Sequence, residues 1–315
     1  VTKAALAQGI KGFSRYMLVE RDRWLDSPIR RDGRVREDHA AMFGSANRLQ
    51  LDGGFGDLRR EASVLLLANR EYDRLEAASV LVSFPGDFLE TPSGFSEYAN
   101  PLTISEHTLG FDKAPQLEKS EWFGAFHAAL AGSGHDFLLS DTSLDPARWS
   151  QHKVVVLTTL DYLGSDLQQA LVDFAADGGT VVIGPRLPAL NSVMQPCTTL
   201  ADAVAEGAER IVLVGSTDEV ADALARACSQ AGVPELGKSD ARLDVILHSD
   251  TTNTDRNVLF VVNPTAEPID ATVSTGRPMT SVTELWTGQS AQPEGDALKV
   301  AIQPYSIHIY ECHTA

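Results

Sequence analysis

Between Lys153 and Ile183 the chain passes through an apolar run (Lys153-Val-Val-Val-Leu157), a helix-period segment, a Gly178-Gly179 stop and a second apolar run (Thr180 to Ile183). In the helix-period segment Leu167, Ala170, Leu171, Phe174 and Ala175 recur at i, i+3, i+4, i+7 and i+8, and Ser165 with Gln168 has the spacing of a capping box. An apolar run without alternation suits a strand buried on both faces, and a helix between two such runs is the crossover that parallel strands need. The same rhythm extends in both directions. Strands are expected at Ala62 to Ala68, His135 to Leu139 and Ile211 to Val214, and helices at Tyr72 to Val82, Glu121 to Ala131 and Asp218 to Ala231. This alternation predicts an α/β fold, an open flavodoxin-like parallel sheet over residues 60–235. It is interrupted by a long loop, about Pro85 to Ser120, that carries Phe88, Phe95, Tyr98 and Phe111; a loop of that length is usually functional or an interface.

The flanks break the rhythm. Lys11 to Trp24 is an apolar and aromatic run that turns to charge at Glu20, as a buried strand (Gly12 to Val19) opening into a polar loop would. A helix is expected from Arg36 to Leu51, with Ala40, Phe43, Ala46 and Leu49 inward, and Asp52-Gly-Gly-Phe-Gly56 as linker. Residues 1–52 thus read as one β-loop-α unit, which cannot bury both faces of its strand alone. From Leu243 the pattern is of short strands: Leu243 to His248, Val258 to Val262, Ala271 to Ser274, Val282 to Trp286, Leu298 to Ile302 and Ser306 to Tyr310. Residues 240–315 are therefore expected to form a small antiparallel β domain. The first residue is Val1, which suits either a processed protein or a piece of a longer one.

Charge narrows the partners. Lys and Arg number 26 against 43 Asp and Glu, a net charge of −17, and such a surface repels phosphate backbones and anionic membranes. Neither a nucleic-acid nor a membrane partner is expected, and no run approaches the roughly 18 apolar residues of a bilayer span. Cys197, Cys228 and Cys312 are few, odd in number and far apart, which points to a reducing cytoplasm. The eight histidines form no HxxxH or HExxH, so no metal is expected, and no cofactor either.

A parallel α/β domain invites a search for its usual chemistry. Gly53-Gly54-Phe55-Gly56 precedes a strand where a phosphate loop would follow one. Val214-Gly215-Ser216-Thr217 could meet an anion at a helix N-terminus, but an ordinary turn capped by Ser216 or Thr217 explains it better. The strand ends Thr158-Thr159-Leu160 and Gly184-Pro185-Arg186 offer no Cys or Ser framed by glycines, so an amidotransferase-like enzyme is disfavoured. The charged end of the first strand differs. Glu20, Arg21, Asp22, Arg23 and Trp24 sit where a barrel strand would empty into its active-site face. A ring beside carboxylates and guanidinium groups suits a sugar, which stacks on the ring and hydrogen-bonds the charged groups; an ion-pair cluster at a strand–helix junction accounts for the same residues.

The string Gly12-Phe-Ser-Arg-Tyr16-Met17 through Trp24, with Ser27-Pro28-Ile29 and Asp32-Gly33, resembles the eighth barrel strand and helix of bacterial β-galactosidases, in the clan holding glycoside hydrolase families 35 and 42. Tyr16-Met17 is like the family 35 Tyr-Met-Phe pattern, although Leu18 to Trp24 does not continue into that family's His-Gly-Gly. Val155 to Tyr162, Leu171 to Phe174 and Gly178 to Arg186 resemble the flavodoxin-like, amidotransferase-like domain that mediates trimerisation in family 42. Leu259 to Pro264 and Tyr305 to Tyr310 are similar to its C-terminal β domain. The resemblance implies a C-terminal portion: the last unit of a (β/α)8 barrel, a trimerisation domain and a small β domain. It implies an enzyme hydrolysing terminal β-galactosides with retention, a β-galactoside or related sugar as partner, and a homo-oligomer. Retention needs two carboxylates about 5–5.5 Å apart, and in this clan they come from strands four and seven, so no catalytic residue is assigned here. Glu20 and Asp22 share one element and are rejected as that pair. Tyr16, Arg21, Asp22 and Trp24 are the expected sugar contacts. The competing expectation is a stand-alone binding or assembly module that uses the 85–120 loop.

Overall fold

The computed structural model describes residues 1–14, 17–23, 25–74 and 115–314, which form two compact units. Residues 62–233 make an α/β unit; residues 1–61 and 234–315 together make a β unit.

The α/β unit is built on five parallel strands, β2 (Val64–Ala68), β3 (Phe137–Asp141), β4 (Val154–Thr159), β5 (Thr180–Pro185) and β6 (Ile211–Leu213), in the order β3-β2-β4-β5-β6. The chain starts at β2, steps out to β3 and returns across it to β4, which is the strand order of flavodoxin-like folds. Period-two alternation sends the residues of each strand to opposite layers. Val64, Leu66, Val154, Val156 and Val182 pack on Trp122, Phe126 and Leu130 of the helix Pro115–Gly132 and on Val220, Ala223, Leu224 and Ala227 of the helix Val220–Gln230. Leu65, Leu67, Val155, Leu157, Val181 and Ile183 pack on Trp149, on Leu171 and Ala175 of the helix Ser165–Ala176, and on Leu200. Two-sided burial is why these strands read as unbroken apolar runs. Two expectations are corrected. Residues 115–120, expected at the end of a loop, open the helix that runs to Gly132, while residues 75–114 lie outside the described residues. The capping box does not form: the N-cap is Gly164, and the Gln168 side chain is fully buried. Its Nε2 donates to Leu163 O at 2.8 Å and at longer range to Leu190 O and Cys197 O, while its Oε1 accepts from Leu200 N–H.

The β unit contains a six-stranded antiparallel sheet. Its strands are β1 (Leu58–Arg60), β8 (Asp244–Asp250), β9 (Arg256–Asn263), β14 (Ser306–Thr314), β11 (Met279–Glu284) and β12 (Gln289–Ala291), in that order. A three-stranded sheet of β13 (Ala297–Ile302), β10 (Ile269–Ser274) and β7 (Gly237–Lys238) packs on it through Leu247, Leu259, Val261 and Val282 on one side and Val273, Leu298, Val300 and Ile302 on the other. The outer face of the larger sheet is covered as well. Ile246, Val258, Phe260 and Ile309 meet Leu6 and Ala7 of the short helix Thr2–Ala7, Leu49 of the helix Glu37–Asp52, and Phe55. The N-terminal segment therefore folds onto the C-terminal strands. The expected strand over Gly12 to Val19 is absent among the described residues, where Val19 makes a single bridge to Ile29. Phe13 is partly buried against the Phe260 cluster, whereas Leu18 and Val19 are exposed.

Two outcomes are expected from this packing. Gln168→Leu removes partners from backbone groups buried beside β4, so it should destabilise the α/β unit by about 2–3 kcal/mol in urea denaturation, against under about 0.5 kcal/mol for exposed Gln169→Ala. In the β unit His248 is buried with Nε2 against Ala7 O at 2.9 Å, and burial pushes its imidazole down to about 4. The unfolded chain protonates this ring near ~6.5, so stability should fall as pH drops from ~6.5 towards the folded value, by on the order of 3 kcal/mol in full. Urea midpoints at pH values spanning that window should show a steeper loss for the native chain than for His248→Gln.

Candidate functional site

Two places bear on chemistry: the charged loop that precedes the helix Glu37–Asp52, and the carboxyl edge of the parallel sheet, where open α/β folds bind ligands.

The loop is organised by Glu20, which is only 9% exposed. Its carboxylate takes the Arg36 guanidinium, the Asp26 N–H at 2.9 Å and the Arg31 N–H. The Arg36 hydrogen bond, foremost among these, holds the Glu20 carboxyl below the usual range. Arg36 Nη1 also donates to Ser27 O at 3.0 Å, and Ser27 Oγ donates to Met17 O at 2.9 Å. Backbone bonds complete the frame: Glu20 N–H to Ile29 O at 2.9 Å, Ile29 N–H to Leu18 O at 3.1 Å and Arg36 N–H to Pro28 O at 2.8 Å. Met17 and Asp26 have φ of 70° and 66°, left-handed values that non-glycine residues adopt only when their surroundings fix them.

On this frame the expected sugar contacts fall as follows. Arg21 and Asp22 are both exposed, Asp22 paired with Arg31. Tyr16 and Trp24 lie outside the described residues. Glu20 faces inward, bound to Arg36. Sequence reasoning missed the Glu20–Arg36 pair, and the one local signal for it was a carboxylate immediately after an apolar run.

At the sheet edge the polar groups are turned to holding backbone. Asn69, fully buried after β2, donates to Thr158 O at 3.1 Å and accepts from Glu71 N–H at 3.0 Å. The Tyr72 hydroxyl donates to Tyr162 O at 2.8 Å and accepts from Leu160 N–H at 2.6 Å; burial raises its pKa well above the ordinary value. Both Glu71 oxygens sit 2.9 Å from Gly164 N, and a Cβ at Gly164 would lie 2.5 Å from Glu71 Oε1, so a side chain there would displace the carboxylate. Burial raises the Glu71 pKa. Thr159 Oγ1 donates to Arg186 O at 2.7 Å, and the Arg186 guanidinium forks onto Asp161 and Glu118 at 2.7–3.0 Å. At the next strand end Ser216 Oγ accepts from Asp218 N–H, so Val214 to Thr217 is a capped turn, with the acidic Asp218 and Glu219 in the first turn that follows. Among the described residues no group of three or more His, Cys, Asp or Glu could hold a metal ion, and no helix is long and apolar enough to cross a membrane.

Residues 97–231 match the family described as GLMA-like, second domain. An exo-beta-D-glucosaminidase of Pyrococcus horikoshii (strain ATCC 700860 / DSM 12428 / JCM 9974 / NBRC 100139 / OT-3) is 35% identical over 60 residues, 19% of this chain and 8% of that protein. Among solved structures, the beta-galactosidase of Bacillus circulans sp. alkalophilus aligns with 91% of this chain and 47% of its own, with a TM-score of 0.57 and 14% identity. A catalytic mutant of Gan42B, a GH42 beta-galactosidase from G. stearothermophilus, aligns with 95% and 48%, with a TM-score of 0.59 and 10% identity. The chain thus spans just under half the length of these structures and a small fraction of the glucosaminidase.

If Glu20 holds the loop, Glu20→Gln should speed amide hydrogen exchange at Asp26 and Arg31 several-fold at pH 7. Because the folded carboxyl is depressed, the native chain should keep this protection above the ordinary carboxylate range and lose it only as pH falls through the folded value. Unchanged exchange in the variant would mean that another group holds the loop.

Proposed function

We propose that this chain, which has the fold of the C-terminal portion of β-galactosidase-like glycoside hydrolases, is that portion of an exo-acting β-glycosidase. The observation that carries the reading is the coincidence of two independent likenesses: the GLMA-like match over residues 97–231 and a fold shared with GH42 β-galactosidases across at least nine-tenths of the chain. In this reading residues 1–52 contribute the last βα unit of a catalytic barrel, residues 60–235 a domain that assembles subunits into a trimer, and residues 240–315 a small β domain. The intact enzyme hydrolyses terminal β-galactosides by double displacement, one carboxylate attacking the anomeric carbon while the other protonates the leaving oxygen. Both carboxylates lie upstream of Val1.

The loop then has a defined task. It follows the eighth barrel strand, on the face where barrel enzymes bind substrate. Arg21 and Asp22 contact hydroxyls of the terminal sugar, with Tyr16 and Trp24 as its ring contacts. The exposure of Arg21 and Asp22, above an inward-facing Glu20, supports this role.

A second reading of the substrate, a terminal β-D-glucosaminide, is favoured by the sequence match to the glucosaminidase. The 315-residue chain should turn over neither 4-nitrophenyl β-D-galactoside nor the corresponding glucosaminide. The enzyme expressed from the full reading frame should hydrolyse one of them, which decides between the two readings. Asp22→Ala in that enzyme should raise KM by about tenfold, the loss of one charge-assisted hydrogen bond. A reading frame that begins just before Val1, with no turnover of either substrate, would instead leave an assembly module.

A further inference from the structure

The loop from Glu20 to Arg36 inverts the charge of the chain that carries it. It holds six arginines against four carboxylates, in a chain whose net charge is −17. Each carboxylate is already engaged: Glu20 with Arg36, Asp22 with Arg31, Asp32 with Arg34, and Asp26 at 3.9 Å from Arg36. Arg21, Arg23 and Arg30 are exposed and have no ion-pair partner among the described residues. Arg30 acts on Asp32 only as a weaker, longer-range charge behind Arg34. Two of the three sit beside the bridged backbone of the loop. Arg21 lies two residues from Val19 and Arg30 one from Ile29, the bridged pair of the frame that Glu20 stitches together. Arginines left without a carboxylate partner on an acidic protein attract anions that the remaining surface repels. The planar guanidinium fork matches the paired oxygens of a carboxylate or a sulfate ester.

We infer that this loop binds an anionic saccharide, a β-glycoside bearing a carboxylate or a sulfate ester, through Arg21, Arg23 and Arg30. The inference rests on the proposed placement of the loop at the sugar site. It adds to that reading a charged group on the sugar, a carboxylate or a sulfate ester.

The test titrates the 315-residue chain at low salt with methyl β-D-galactoside, D-galacturonate, D-galactose 6-sulfate and inorganic sulfate. At least one of the two anionic sugars should bind about tenfold tighter than the neutral sugar and tighter than inorganic sulfate. The two anionic arms distinguish carboxylate from sulfate ester. The preference should shrink as salt rises to about 0.5 M, where screening acts within a few ångströms. It should vanish in Arg21→Gln/Arg23→Gln/Arg30→Gln and persist in Arg226→Gln, an exposed arginine of the α/β unit. Equal affinity for neutral and anionic sugars, no binding of either, inorganic sulfate binding as tightly as the sugars, or a preference that survives the triple variant would each overturn the inference. If the full-length enzyme hydrolyses neutral glycosides and gains nothing with charged ones, this inference fails and the glycosidase reading stands. If that enzyme hydrolyses no glycoside while the chain still prefers anionic sugars through these arginines, the glycosidase reading fails and the saccharide site stands.

Discussion

Backbone amides and carbonyls buried at the end of a parallel sheet must find partners, and at the carboxyl edge of the α/β unit side chains supply them from within. Asn69, Tyr72, Glu71 and Gln168 each bind main-chain groups there, and Arg186 binds the Asp161 and Glu118 carboxylates. Unsatisfied, such groups would each cost about 1–3 kcal/mol, a large share of the stability of one domain. Open α/β sheets ordinarily present this edge to a ligand. Here Glu71 already occupies the entrance to the helix Ser165–Ala176, against Gly164 N–H. Assembly is the role proposed for this unit.

Much of the fold was legible in the sequence, for identifiable reasons. The parallel strands announce themselves because burial on both faces leaves no room for polar residues, as in Val154 to Leu157 and Val181 to Ile183. The C-terminal strands are legible for a related reason: Val258 to Val261 read as apolar throughout because one sheet face meets the smaller sheet and the other meets the N-terminal helices. What failed was whatever depends on a distant partner. Gly12 to Val19 has strand composition, but composition makes a strand only where another backbone pairs with it, and among its described residues Val19 alone makes a bridge. Ser165 and Gln168 had the spacing of a capping box, but Gln168 found better use sealing buried carbonyls contributed by residues up to 29 positions away. The helix Thr2–Ala7 is too short to show a period, and it is held in place chiefly by the burial of Leu6 and Ala7.

The loop divides along the same line. That Arg21 and Asp22 would be exposed beside an inward-turning strand end could be read from the switch between apolar and charged residues. That Glu20 would be the inward member, bound to an arginine sixteen positions on, could not, because the pairing depends on a turn the local sequence does not encode. Glu20 is held by Arg36 and two backbone N–H groups, while Arg21, Arg23 and Arg30 are exposed.

The β unit is discontinuous along the chain, and this has a bearing on how the molecule is made. Strand β14, the last in the sequence, lies between β9 and β11 in the interior of the six-stranded sheet, not at its rim. Helix Glu37–Asp52 and strand β1, synthesised before the α/β unit, belong to the same unit as strands that emerge after residue 234. Residues 62–233 have all their sheet partners among themselves and can collapse while translation continues. The N-terminal segment must wait with Leu49, Phe55 and Leu58 uncovered until its final neighbours leave the ribosome. For a molecule ordered in this way, the exposed interval belongs to residues 1–61, and its length is set by the time needed to translate the inserted α/β unit.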